Sequence, residues 1–314
     1  MTRTDCAAFF REHDNFCILT HDAPDGDTLG SAATLCRGLR DFGKTAFILE
    51  NPEVPKHLAY LCEGLTVEAP ADNATVVSVD VAAPHMLVKN PNLDASKLIL
   101  RIDHHGRSTS FAPLELVDAT SASCAEIIYD ILMELGVQMT PEIAIPLYTG
   151  LSTDTGCFRF ANTNAHTYTT AAACAATGAN LQPITQALFD TISLNKLRVQ
   201  AWVTENTRFL AEGKAALCAM PAGLAAQLSV AEEEVGGMSG FIRSIEGVCL
   251  AATLREDSEA GKIFISVRAV PGYDAAVVCE KFGGGGHKGA GGGSTTMSLA
   301  EAEEKMAQAL LEQM

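Results

Sequence analysis

The sequence predicts an α/β protein: a parallel sheet with helices on both faces, followed by a smaller α+β domain. Three observations carry this. Apolar runs in the first half (Phe16 to Leu19, Val76 to Val79, Leu98 to Ile102 and Ile143 to Leu151) each lead into a polar turn and then helix-like sequence. Continuous runs of this length suit strands buried on both faces. Strand-like and helix-like segments alternate, as in βαβ units, and beyond about residue 211 the texture shifts to closely spaced strand-like runs with fewer helices.

Taken in order, Phe16 to Leu19 opens the sheet. Thr28 to Phe42 follows as a helix, with Leu29, Ala32, Ala33, Leu35, Cys36 and Leu39 on its apolar side and Gly43 as its stop. Phe47 to Glu50 starts another strand. Cys124 to Leu135 reads as a helix closing at Gly136, and Ala165 to Ala176 as one ending before Gly178. Pro183 to Leu210 has helical spacing without a strand signal. Ala215 to Met220, Val248 to Leu254 and Lys262 to Ala269 then read as strands, with helices at Leu224 to Leu228 and from Leu299 onward. The expected organisation is a first domain over 1–190, a helical linker over 191–210 and a second domain over 211–314.

The chain has 314 residues, enough for two domains with substantial cores. Its net charge of −16 excludes the clustered Lys and Arg that an extended groove for long or duplex nucleic acid requires. A short anionic ligand stays compatible, because bound divalent cations supply positive charge locally. Ten cysteines are scattered singly with no Cys-x-x-Cys, and the N-terminus lacks the basic-then-apolar order of a secretory signal. No stretch approaches a membrane span. A cytoplasmic, reducing location without membrane partners is the expectation.

Four segments carry the chemistry. They are His21-Asp22-Ala23-Pro24-Asp25-Gly26-Asp27, Asp80 in Ser78-Val79-Asp80-Val81, Asp103-His104-His105, and Asp154 in Ser152-Thr153-Asp154-Thr155-Gly156. Each follows an apolar run, and in an open α/β sheet ligands gather at the carboxyl ends of the strands. Taken singly, each has an ordinary explanation as a cap, a turn or a hydrogen-bonded histidine. Four such sites with a recurring Asp and His mixture make coincidence a poor account. The donor set suits Mn²⁺ or a related divalent cation rather than a structural thiolate site, and a pair of such ions can bridge a phosphate.

The set His21-x-x-x-Asp25-x-Asp27, Asp80, Asp103-His104-His105 and Asp154 resembles the DHH phosphoesterase superfamily in order and separation. The resemblance implies one ion held by His21, Asp25 and Asp80, and a second by Asp27, Asp80, His104 and Asp154. It further implies that Asp103 orients a histidine and that His105 approaches the substrate phosphate or assists catalysis. The expected cofactors are two divalent cations, Mn²⁺ ahead of Mg²⁺ or Co²⁺.

The run Gly283 to Gly293, interrupted by His287, Lys288 and Ala290, can bring backbone N–H groups close to an anion. Combined with the first-half motifs, it resembles the DHHA1 substrate-binding domain. That implies substrate contacts from Gly285, Gly286 and His287, with Arg243 and Arg268 as phosphate-contacting arginines. The two-domain length resembles the nanoRNase and pAp-phosphatase group, whose substrates are short oligoribonucleotides and adenosine 3′,5′-bisphosphate. Alternatives in view are a cyclic- or linear-dinucleotide phosphodiesterase, a manganese pyrophosphatase and a nucleotide sensor without turnover. The sequence leaves a homodimer open.

Overall fold

The computed structural model describes residues 1–106 and 108–314. The chain forms two compact units, Met1–Thr191 and Ile192–Met314. All ten cysteines are free thiols. Among the described residues no helix is long and apolar enough to cross a membrane.

In the first unit, α1 (Arg3–Glu12) starts at a capping box in which Thr2 and Asp5 satisfy each other's backbone N–H. The strands are β1 (Phe16–Leu19), β2 (Ala46–Leu49), β3 (Thr66–Val67), β4 (Thr75–Val79), β5 (Leu98–Asp103) and β6 (Leu114–Val117). They form one sheet in the order β3-β2-β1-β4-β5-β6 with every neighbouring pair parallel. β1 and β4 are buried at every position, as suits the all-apolar β1 and a β4 whose only polar residues are the small Thr75 and Ser78. On one face, α2 (Gly26–Asp41) and α3 (Cys124–Leu135) join α1 around Phe10, Phe16, Leu35, Val77 and Ile128. On the other, Cys17, Leu19, Leu49 and Val76 are covered by Val81, Leu87, Val88 and a short 3₁₀ helix at Pro84–Met86.

The run Ile143 to Leu151, read as a strand, lies inside α4 (Pro141–Asp154), a correction to the sequence reading. Pro141 begins the helix, and a proline at 146 would interrupt a central strand ladder. Ile143, Ala144, Leu147 and Leu151 are fully buried at helical spacing; Ala144, Leu147 and Leu151 pack with Ala125 and Cys174, and Ile143 joins the main core around Leu132 and Leu135. A short apolar run by itself does not separate a buried helix from a buried strand. α5 (Ala165–Ala176) adds a further layer on α4, and α6 (Gln182–Thr185) follows.

Of the stretch 191–210, expected as a helical linker, residues 192–210 lie in the second unit. Its helix α7 (Leu194–Asn206) buries Val199 and Val203 against Cys218, Met220, Leu224 and Ile242. Arg208–Leu210 forms β7, a strand the sequence reading did not expect. β8 (Ala215–Met220), α8 (Leu224–Leu228), α9 (Glu232–Val235) and α10 (Met238–Arg243) come next, then β9 (Leu250–Asp257), β10 (Lys262–Ala269) and α11 (Ala275–Glu280). β11 (Gly285–His287), β12 (Ala290–Thr295) and α12 (Leu299–Leu311) complete the unit. The sheet order is β11-β12-β10-β9-β8-β7, with β8 and β9 parallel and the other pairs antiparallel. The glycine-rich run is thus a β-hairpin. Gly286 sits at φ +141°, and a Cβ there would lie 2.4 Å from Ala290 O, so only glycine fits.

Candidate metal centre

The strand order of the first sheet reverses between β1 and β4, the place where an open parallel sheet leaves a crevice at its carboxyl ends. His21 lies just after β1, Asp80 just after β4, and Asp103 ends β5 with His104 and His105 beyond it. Asp25 caps α2, its Oδ1 accepting from Asp27 N at 3.0 Å and Thr28 N at 3.1 Å. Asp27 occupies the first turn of the same helix. Asp154, the last residue of α4, comes from a helix end rather than the expected strand end.

These residues form two groups of potential ligands, His21–Asp25–Asp80 and Asp27–His104–Asp154. Asp80 faces both histidines: its Oδ2 is 3.8 Å from His21 Nε2 and its Oδ1 is 3.5 Å from His104 Nε2. His21 Nε2 is 3.6 Å from Asp25 Oδ1, and His104 Nε2 is 3.8 Å from Asp27 Oδ2 and 3.1 Å from Asp154 Oδ2. A third grouping, Asp80–His104–His105, includes a histidine whose Nδ1 is already engaged, 2.8 Å from Asp103 Oδ1.

Two observations fit this centre to cations. Among the described residues Asp80 Oδ1 and His104 Nε2 are buried without a hydrogen-bond partner, although His104 Nε2 lies 3.1 Å from Asp154 Oδ2. A buried polar atom left this way costs about 1–3 kcal/mol. The carboxylates also crowd one another. Burial first, and then the Asp154 charge, push the Asp27 carboxyl up to about 8. Burial and the charges of Asp27, Asp25 and Asp154 hold Asp80 well above the usual carboxylate range. Burial opposes the charged form of His104, but Asp154 and Asp27 outweigh it and raise the imidazole to about 9.

Asp27, Asp80 and His104 all have folded-state values above their ordinary ones, so each favours the fold most at low pH and loses that contribution as pH rises. For Asp27 the loss runs from about 4 through about 8, and for His104 from about 6.5 through about 9. The metal-free protein is therefore expected to melt lower at pH 9 than at pH 6. Saturating divalent cation should restore more at pH 9, about 5–10 °C at a hundredfold excess over Kd. Calorimetry with chelator or Mn²⁺ at both pH values checks this, and a larger gain at pH 6 would contradict it.

Several residues that hold the candidate ligands escaped the sequence reading. Asn51 Nδ2 donates to His21 O at 2.8 Å, and Asn162 Nδ2 donates to Asp154 O at 3.1 Å and Ala122 O at 2.9 Å. Asp27 is anchored by the N-terminus of α3, accepting from Cys124 N at 2.7 Å and Ala125 N at 3.0 Å. Helices α2 and α4 meet through glycines: a Cβ on Gly30 would lie 2.5 Å from Pro146 O, and one on Gly150 would lie 2.9 Å from Asp27 Oδ1. Arg101 contacts Asp103 from within β5. Its signal was present, since a charged residue inside the apolar run Leu98 to Ile102 is unusual for a central strand.

The second unit holds the other predicted residues. Arg243 ends α10, and Arg268 lies in β10. The β-sheet register sets Arg268 opposite Ala290 and Ala290 opposite His287, so the arginine and histidine share a row and a face two strands apart. That is roughly 10 Å. The next row is Ser266, Gly292 and Gly285, and a Cβ on Gly285 would meet nothing within 4 Å. Burial pulls the Arg268 guanidinium below its usual value, and among the described residues no carboxylate pairs with it. Gly286 lies between these rows in β11.

The DHH family N-terminal domain matches residues 15–151, and the DHHA1 domain matches residues 219–314. Over 303 residues the chain is 34% identical to the bifunctional oligoribonuclease and PAP phosphatase NrnA of Thermus thermophilus, covering 95% of this chain and 89% of that one. The chain belongs to the DHH family of phosphoesterases. The chain is also 25% identical over 287 residues to the bifunctional oligoribonuclease and PAP phosphatase NrnA of Bacillus subtilis, covering 90% of each chain. The crystal structure of an exopolyphosphatase-related protein from Bacteroides fragilis shares the fold, with a TM-score of 0.86 at 24% identity over 99% of this chain and 96% of that one.

Proposed function

We propose that this DHH phosphoesterase hydrolyses short oligoribonucleotides and adenosine 3′,5′-bisphosphate, using two divalent cations, Mn²⁺ by preference. One observation carries the reading: two ligand groups converge on the carboxylate of Asp80, whose two oxygens face different histidines. His21, Asp25 and Asp80 would hold one cation, and Asp27, Asp80, His104 and Asp154 the other. Such a pair supplies charge that activates water and stabilises the leaving oxygen of an in-line displacement.

The remaining roles belong to side chains. Asp103 accepts from His104 N at 2.8 Å, His105 N at 3.2 Å and His105 Nδ1 at 2.8 Å, which fixes the His105 ring beside Asp80. With Nδ1 held by Asp103, the opposite ring edge of His105 points away from that carboxylate and can meet a phosphate or carry a proton to the leaving oxygen. Arg268, Arg243, Gly285, Gly286 and His287 would grip the nucleotide. The Arg268 guanidinium, whose Nη1 donates to Val267 O and Ser266 Oγ and which has no carboxylate partner among the described residues, supports an anionic ligand, and the absence of side chains at Gly285 and Gly292 supports close approach of that ligand to the backbone. The net charge of −16 supports short substrates over long strands.

The test is a panel of a diribonucleotide, adenosine 3′,5′-bisphosphate, a cyclic dinucleotide, a long RNA and pyrophosphate, each with Mn²⁺ and with chelator. Cation-dependent turnover of the first two is expected. Turnover of pyrophosphate alone, or of none, rejects the assignment. Arg268→Ala should raise KM for the diribonucleotide about 10–100-fold, as expected for one lost charge-assisted hydrogen bond, with a smaller change in kcat. An unchanged KM would remove Arg268 from the substrate site.

A further inference from the structure

Arg101 is the largest side chain among the fully buried residues, 1% exposed in the middle of a parallel strand. Every part of its guanidinium is engaged. Nε donates to Val81 O at 2.7 Å, Nη1 donates to Thr109 O at 3.2 Å and lies 3.5 Å from Glu115 Oε1, and Nη2 donates to Asp103 Oδ2. The group also lies over the Phe111 ring, 5.0 Å from its centroid. Asp103 uses its other oxygen, Oδ1, to accept from His104 N, His105 N and His105 Nδ1. The carboxylate is thus clamped between a buried arginine on one side and the two histidines on the other.

We propose that Arg101 is a positioning residue for the reaction: it fixes the rotamer of Asp103 and, through it, the backbone of His104 and the ring orientation of His105. This rests on the phosphoesterase reading above and deepens it. A guanidinium is suited to the task because its fork is planar and rigid, so the contacts to Val81 O and Thr109 O fix the direction from which Nη2 meets Asp103. A carboxylate held only by the histidines could rotate about its terminal torsion. Held from behind, it presents Oδ1 to His105 Nδ1 and sets which ring nitrogen carries the proton.

The experiment compares Arg101→Met, Arg101→Lys, Asp103→Asn and the Arg101→Met/Asp103→Asn double variant. The readouts are kcat and KM on a diribonucleotide with Mn²⁺, and the ¹⁵N spectrum of the His105 imidazole in the metal-free protein. Arg101→Met should lower kcat about 10–100-fold, with KM within about threefold. The double variant should be no slower than Asp103→Asn alone, because the two residues act as a unit. In the wild type the His105 proton should sit on Nδ1, and in Arg101→Met both tautomers should appear. Arg101→Lys keeps the charge but cannot span the three acceptors, so it should share the loss in kcat, and it serves the comparison if the methionine variant does not fold. Multiplicative effects in the double variant, an unchanged kcat in a folded single variant, or an unaltered His105 tautomer would each overturn the proposal. If the wild type hydrolyses no phosphoester, the functional reading fails while the imidazole spectrum still decides the role of Arg101.

Discussion

Asp80→Asn is expected to lower kcat by at least about a thousandfold, about 4 kcal/mol of barrier, while raising the melting temperature of the metal-free protein. The two effects have one cause. Asp80 is 2% exposed, with a carboxylate oxygen toward each of His21 and His104, and it shares its surroundings with Asp25, Asp27 and Asp154. Without cations that charge opposes folding. In the proposed two-cation centre it would be the group common to both ligand sets. Asparagine is the informative substitute because Asp80 has φ +58°, a left-handed conformation that Asn tolerates and Ala does not. Steady-state kinetics with Mn²⁺ and calorimetry in chelator test the two halves. More than a tenth of wild-type activity, or a lowered melting temperature without cation, would refute this account of the residue.

Gly150→Ala is expected to weaken cation binding at the Asp27–His104–Asp154 group about 10–100-fold and to destabilise the first unit by about 1–3 kcal/mol. The new Cβ would lie 2.7 Å from Ala125 Cβ and 2.9 Å from Asp27 Oδ1. Neither neighbour is a flexible chain end, since Asp27 is held by Cys124 N and Ala125 N at the start of α3. To accommodate the methyl group, α4 must move off α2 and α3, taking Asp154 with it. Mn²⁺ titration followed by calorimetry or electron paramagnetic resonance should show one tight site and one weakened site. Two undisturbed sites would mean that the helices shift without moving the ligands.

Much of the candidate centre could be read from the chain alone, because three of its four segments follow apolar strands. Phe16 to Leu19, Val76 to Val79 and Leu98 to Ile102 are strands covered on both faces by a parallel sheet's flanking layers, which suits short, mostly apolar sequence, and the residues after them come out at one edge. The helix Cys124–Leu135 was equally legible, with Ser123 capping its start and Gly136 in the left-handed conformation at its end. Ile143 to Leu151 was misread because a buried helix and a buried strand are both apolar over a few residues. The glycine run gave no strand signal either, since residues without side chains have no alternation to show; its pairing with β10 depends on hydrogen bonds to partners 22 to 32 residues away.

What the sequence determined by itself is the chemical inventory: which carboxylates and imidazoles are present, in what order, and that the first three groups stand at strand ends. Local residue preferences and apolar pattern are enough for that. The tertiary structure alone decided that the oxygens of Asp80 face two different histidines, that α4 brings Asp154 to them across the glycine contact at Gly30 and Gly150, and that Arg101 stands behind Asp103. These are contacts between segments far apart in the chain, set by the distance at which helices and strands pack, and no local pattern encodes a distance.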